Sequence, residues 1–160
     1  MQLGSWDFKE KPAGVWKAVL KAPSYLYRWH LGFLLGKRFL MIEHIGRKSE
    51  ATYYTTVEVV DQATGTREFF VCSGTGPDAD WYLNLKATPA AAVQVGRHRW
   101  VPRQRMLENK EASERFASYE QRHPKAARRL LKSMGNTYDG TDAGRTDMMS
   151  EMPMVAFSDH

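Results

Sequence analysis

Gly46-Arg47-Lys48-Ser49, then Thr52-Tyr53-Tyr54-Thr55-Thr56-Val57-Glu58-Val59-Val60, Phe69-Phe70-Val71-Cys72-Ser73-Gly74, Asp80-Trp81-Tyr82-Leu83-Asn84-Leu85 and Val93-Gln94-Val95-Gly96 follow one another within residues 46–96. Their reading decides the fold. The run 52–60 is dense in β-branched and aromatic side chains, which pack well on a pleated surface. Phe39 to Ile45, apolar except for Glu43 and His44, reads as a strand meeting that run across the basic turn 46–49. Asp61 to Thr66, containing Gly65, reads as a hairpin loop, and Glu68 to Ser73 as the returning strand. Gly74, Gly76 and Pro77 end it. Asp78 or Asp80 is expected to cap a short helix carrying Trp81, Leu83, Leu85 and Ala87, which Pro89 terminates.

Ala91 to Gly96 and Arg99 to Leu107 read as a second hairpin about Arg97-His98. Lys110 to Tyr119 is expected to be helical, since Ala112, Arg115, Phe116 and Tyr119 recur on one side. His123-Pro124 breaks it. Ala126, Ala127, Leu130, Leu131 and Met134 mark a further amphipathic helix ending at Gly135. Residues 136–151 read as a polar loop, and Met152 to Phe157 as a last strand. The pattern is mainly β with flanking helices (α+β): about five or six antiparallel strands, closed economically as a small barrel because closure removes exposed edges.

Upstream, residues 1–12 read as a polar arm. Trp16, Val19 and Leu20 fall at helical spacing, and a second apolar segment runs from Tyr25 to Gly36. Trp and Tyr are mixed here with Lys9, Lys11, Lys17, Lys21, Arg28, Lys37 and Arg38. Two readings stand: helices that cover the core, or helices on a membrane surface, where aromatic rings and basic side chains both favour the headgroup layer. The expected organisation is an N-terminal arm and helices over 1–36, with a membrane contact among its roles, and a barrel over 37–160, together one structural domain.

A length of 160 residues agrees with one domain. The formal net charge of +5 favours anionic partners: phosphates, carboxylates, nucleic acid or an acidic membrane face. The single Cys72 excludes an internal disulfide and points to a reducing compartment. The polar, charged opening leads to the expectation of no signal peptide, and no apolar run in the sequence reaches the ~18 residues of a membrane span. The expected location is the cytoplasm, with the inner face of the membrane as an extension of that reading.

Three places carry chemistry. Arg47, Lys48 and Ser49, with the backbone N–H groups of their turn, suit a phosphate or a run of carboxylates; a solvated basic turn uses the same residues. The small residues Cys72-Ser73-Gly74-Thr75-Gly76 let a planar ring approach backbone, and equally make a tight strand-to-helix turn. In Asp80 to Leu85, Trp81 lies either against a ligand or in the core, and Asn84 either holds the neighbouring loop or faces solvent. The histidines His30, His44, His98, His123 and His160 show no metal spacing and read as surface or hydrogen-bonded histidines. Cys72, among apolar neighbours, reads as buried and inert. Arg97, Arg99, Arg103 and Arg105 alternate along a strand with Trp100, a pattern that grips single-stranded nucleic acid or, more commonly, forms the solvated face of a hairpin. The expectation is no nucleic acid. An enzyme with no defensible side-chain catalysts fits one whose cofactor supplies the reaction.

In the order of turn, small-residue strand end and Trp-Tyr-Leu-Asn-Leu helix, the chain resembles the deazaflavin (F420)-dependent nitroreductases, the F420H2-dependent quinone reductases of actinobacteria. The resemblance covers about residues 37–158 and rests on Gly46 to Ser49, Asp80 to Leu85 with Pro89, Val93 to Gly96 and Met152 to Val155. It implies a split β-barrel of the flavin- and deazaflavin-binding type, coenzyme F420 as cofactor, and hydride transfer to a quinone, a nitro compound or a lipid-like enone. It also implies that Arg47, Lys48 and Ser49 meet the phosphate and glutamyl tail. Thr55 and Thr56 then flank the ring, Ser73 and Gly74 lie beside it, Trp81 and Asn84 complete the pocket, and Tyr54 and Tyr138 face the substrate. Homodimers are common among such barrels. Three positions depart from the family pattern: Glu50 stands where Gly is common, Tyr53 where Arg is common, and Gly74 where Lys often follows the serine. The alternatives are the same barrel using FMN, and a non-enzymatic barrel for a lipid or fatty acyl chain.

Overall fold

The long strand β2 (Thr52–Ala63) belongs to two halves of one sheet. Residues 52–58 pair antiparallel with β1 (Phe39–Ile45), and residues 59–63 pair antiparallel with β3 (Glu68–Cys72). The change of partner coincides with a register shift between Val59 and Asp61. A bulge of this kind bends its strand and strengthens the local twist, which curls the sheet. With β4 (Ala92–Val95), β5 (His98–Trp100), β6 (Arg103–Met106) and β7 (Met154–Ser158), the sheet has the order β5-β4-β1-β2-β3-β7-β6. The indole N–H of Trp100 donates to the Ser158 carbonyl at 3.1 Å, so β5 at one edge is drawn onto β7 near the other. This is the curled, barrel-like sheet expected from the strand pattern.

The computed structural model describes residues 37–133, 135 and 137–159. The expected arm, N-terminal helices and membrane contact fall on residues 1–36, outside the described residues, as do Met134 and His160.

Among the described residues the sheet has seven strands, more than expected. The single arm expected over Arg99 to Leu107 is two strands, broken at Val101-Pro102. Proline has no N–H for a ladder, so the chain leaves β4 there and β6 rejoins the sheet beside β7. β2 also runs three residues past its expected end. Asp61 reads as a loop residue, yet its carboxylate is buried against Arg122 at 2.8 Å and Arg115 at 3.2 Å. That pairing holds the strand in place. Because the two arginines remain partly exposed, Asp61→Ala is expected to cost about 2–3 kcal/mol, below the value for a wholly buried network. Urea unfolding measures this, and a loss under about 0.5 kcal/mol, the range of an ordinary surface substitution, contradicts it.

Side chains alternate across the strands and fill two cores. On β3, Phe69 and Val71 face the barrel interior with Leu40, Ile42, Val57, Val93 and Phe157. The helix α1 (Asp80–Ala87) closes that interior with Trp81, Tyr82 and Leu85. Neither Asp78 nor Asp80 caps α1: the N-cap is Ala79, without a side-chain bond, and Asp80 sits in the first turn. Phe70 and Cys72 face the other way, onto Phe116 and Tyr119 of α2 (Asn109–Arg122) and Leu130 of α3 (Pro124–Ser133). Burial pushes the Cys72 thiol up to about 12, in keeping with an inert cysteine. The expected loop 136–151 holds a further short helix, α4 (Asp142–Met148), whose Thr141 side chain accepts from the Gly144 N–H at 3.0 Å. Among the described residues, no helix is long and apolar enough to cross a membrane.

Candidate functional site

The turn between β1 and β2 is built around Gly46. Its N–H donates to the Ala51 carbonyl at 2.8 Å, and its carbonyl accepts from Glu50 N–H at 2.9 Å. A Cβ at position 46 would lie 2.6 Å from Tyr53 Cε2 and overlap the Ser49 hydroxyl, so only glycine lets these groups close over the backbone. Ser49 and Tyr53 join through their hydroxyls at 2.9 Å. Glu50 has φ 57°, a left-handed conformation that favours glycine, and it is the only such non-glycine among the described residues.

The turn is pinned to α1 by Arg47. Its backbone N–H and its Nη1 both donate to Asn84 Oδ1, at 3.1 and 2.9 Å. Nη1 also pairs with Asp80 Oδ1 at 3.0 Å. Asn84 is buried, and its Nδ2 lies 3.1 Å from His44 Nδ1. His44 Nε2 lies 3.0 Å from Thr55 Oγ1, and the His44 ring stacks near that of Tyr53. Donors and acceptors settle the proton positions. Asn84 Oδ1 already accepts twice, which makes Nδ2 the donor towards His44. His44 Nδ1 must therefore be the acceptor, and Nε2 carries the proton that Thr55 receives. Burial holds the imidazole neutral, pushing its pKa down to about 4 against the smaller raising effect of Asp80.

Lys48 is exposed, and its ammonium has no carboxylate partner among the described residues. The amide N–H groups of Lys48 and Ser49 likewise meet no acceptor there. Two successive free amides beside a lysine form a concave donor set for an anion.

The expected residues thus separate into groups. Arg47, Ser49, Thr55 and Asn84 meet around the turn, with Lys48 projecting from it. Thr56 and Tyr54 alternate with Thr55 along β2 and lie on the opposite face, Thr56 buried and Tyr54 exposed. Trp81 is a core residue, edge-on to Tyr82 at 6.0 Å. Ser73 is fully buried and donates its hydroxyl to the Gly76 carbonyl at 2.5 Å. Gly74 sits under α3, where a Cβ would lie 3.2 Å from Leu130 Cδ1. Tyr138 packs on the helical side and donates to the Glu120 carboxylate at 2.6 Å. The sequence reading gave no site role to His44, Tyr53 or Asp80, which entered it only as a histidine without metal spacing, a departure from the family pattern and a cap candidate. His44 carried a signal: it follows Leu40 and Ile42 at period two, which makes it a polar residue in an interior-facing row. Of the arginine stripe, Arg99 pairs with Glu43, and Arg105 with Glu68 and Glu111.

An F420-H2 dependent reductase (FDR-A) aligns over 76% of this chain and 95% of its own, at 19% identity and a TM-score of 0.51. A structure described as a domain-swapped dimer aligns over 85% and 99%, at 18% identity and 0.50. A pyridoxamine 5'-phosphate oxidase-related, FMN-binding protein from Nostoc punctiforme PCC 73102 aligns over 85% and 78%, at 12% identity and 0.52. At these identities the likeness shows the fold, the split β-barrel. No curated protein matches the chain. The family model described as F420H(2)-dependent quinone reductase matches residues 29–133, more than half of the chain. The protein therefore belongs to the F420H2-dependent quinone reductase family and is an oxidoreductase with coenzyme F420 as its cofactor.

Proposed function

We propose that this protein reduces a quinone-type acceptor, holding the anionic tail of F420 at the turn 46–51. The observation that carries the reading is the donor set at that turn: a Lys48 and two amides that meet no partner among the described residues, on a loop fixed to α1 through Arg47 and Asn84. Such a set fits phosphate and carboxylate groups, and the free cation gives it the right sign. Lys48 and the Lys48 and Ser49 amides would contact the tail directly. Arg47 would add its guanidinium at the mouth, oriented by Asn84 and Asp80. Thr56 and Gly74 would border the ring, while Thr55, on the opposite face of β2, holds His44, and the buried Ser73 and Trp81 would support the pocket from beneath. Tyr54 and Tyr138 are assigned to the acceptor.

Reduced F420, when bound, supplies a hydride, which with one proton converts a quinone to its quinol. The protein's part is to orient the two partners and keep water from the ring; no side chain is assigned as acid or base, and solvent supplies the proton. Nitro compounds and lipid-like enones are secondary acceptors in this reading. A lipophilic acceptor gives the basic, aromatic residues 1–36 a role at the inner face of a membrane, argued from their composition alone. A homodimer is part of the reading as well, since a structural neighbour is described as a domain-swapped dimer.

The test follows reduced F420 by absorbance on mixing with the protein and a naphthoquinone, a nitroaromatic or an enone. Rapid oxidation with the quinone, at least tenfold faster than without protein, is the expected result. A protein that binds F420 yet speeds oxidation by none of these acceptors would contradict the assignment.

A further inference from the structure

We infer that His44 is a positioning residue for the cofactor turn: through its Nδ1 acceptor it sets the amide of Asn84, which in turn fixes the backbone and guanidinium of Arg47. The inference rests on the reading that the turn 46–51 holds the cofactor's anionic tail.

The chain of contacts is continuous and crosses three elements. β2 contributes Thr55, β1 contributes His44, α1 contributes Asn84, and the turn contributes Arg47. Each link is directional. An asparagine amide in a buried site can turn over, exchanging oxygen for nitrogen, unless its partners discriminate. Among the described residues the only group asking Asn84 for a donor is His44 Nδ1, while both Arg47 groups ask for an acceptor. Removing the His44 acceptor leaves a buried Nδ2 unsatisfied, and the pressure to rotate or withdraw the amide falls on Arg47. The groups facing His44 are Asn84 and Asp80 from α1, Thr55 and Tyr53 from β2, and Arg47 beyond Asn84. Among them only Asn84 connects the imidazole to the turn by hydrogen bonds. The imidazole acts through Asn84 and touches neither partner of the reaction in this account.

Two polar substitutions separate the nitrogens. Asparagine places an oxygen near the Nδ1 position and can accept from Asn84 Nδ2. Glutamine reaches the Nε2 position and can donate to Thr55, but offers Asn84 no acceptor. The measurements are hydrogen exchange of the Arg47 amide without cofactor, and the F420 dissociation constant by tryptophan fluorescence. His44→Gln is expected to speed Arg47 exchange at least tenfold and weaken F420 about tenfold. His44→Asn is expected to restore both to within about threefold of the wild type. Unchanged Arg47 exchange in His44→Gln overturns the positioning role, whatever the affinity does. Faster exchange with unchanged affinity instead removes the turn as the cofactor's site, and the inference with it. Equal behaviour of the two variants also overturns it, because a merely structural histidine would not distinguish its two nitrogens.

Discussion

Trp81→Ala is expected to lower the unfolding free energy by about 3–5 kcal/mol, the usual cost of removing a large aromatic from a packed interior. Trp81 is 9% exposed and sits where α1 closes the barrel, against Tyr82 and the interior cluster of Leu40, Ile42 and Phe157. Its loss leaves a cavity that backbone tied into a sheet on one side and a helix on the other cannot collapse to fill. The variant should also bind F420 more weakly under conditions where it remains folded. α1 carries Asp80 and Asn84, so loosening the helix loosens the grip on Arg47. Chemical denaturation and a cofactor titration check the two halves. A stability loss below about 1 kcal/mol would show that Trp81 is not the plug of the barrel, and full affinity in the destabilised variant would confine it to the core.

The second large effect is acid lability. The His44 imidazole is neutral when folded down to about pH 4, while an unfolded chain takes up the same proton near 6.5. Between those values the unfolded state binds a proton that the native state refuses, so lowering the pH favours unfolding. A span of this width corresponds to about 3 kcal/mol, lost progressively from pH 6.5 to 4 and absent as a contribution above 6.5. The carboxylates held low by their partners, Glu111 beside Arg105 and Asp159 beside His98, act in the same direction at lower pH. The difference between wild-type and His44→Asn stability curves isolates the histidine. A parallel pair of curves between pH 4 and 6.5 would contradict the buried, neutral imidazole.

Much of the barrel was legible because its signals are local. β1 has the bounds read from its apolar run, and β3 and α1 lie within a residue of theirs, since dense β-branched and aromatic segments and a helix stopped before Pro89 depend little on distant contacts. What failed depended on tertiary partners. Asp61 looks like a turn residue until Arg115 and Arg122 arrive from more than fifty positions away. The break at Pro102 reads as the middle of one strand until the sheet curls and gives its two halves different neighbours. α4 is short and polar, and only its Thr141 cap marked it. Within the site, the link of the turn to Asn84 was among the readings of the short helix. His44, Tyr53 and Asp80 had no site role in that reading, because their roles come from pairing across β1, β2 and α1 rather than from any contiguous motif.

The proposed seat of the anionic part of F420 is the turn 46–51. That assignment is tested most directly by titrating the wild type and the Arg47→Ala/Lys48→Ala double variant with F420 and with FMN, followed by tryptophan fluorescence. The expected result is micromolar or tighter binding of F420 by the wild type, weaker binding of FMN, and a loss of about 2–4 kcal/mol for F420 in the double variant, as two charge-assisted contacts are removed. F420 affinity unchanged by the double substitution, or tighter binding of FMN than of F420, would contradict it.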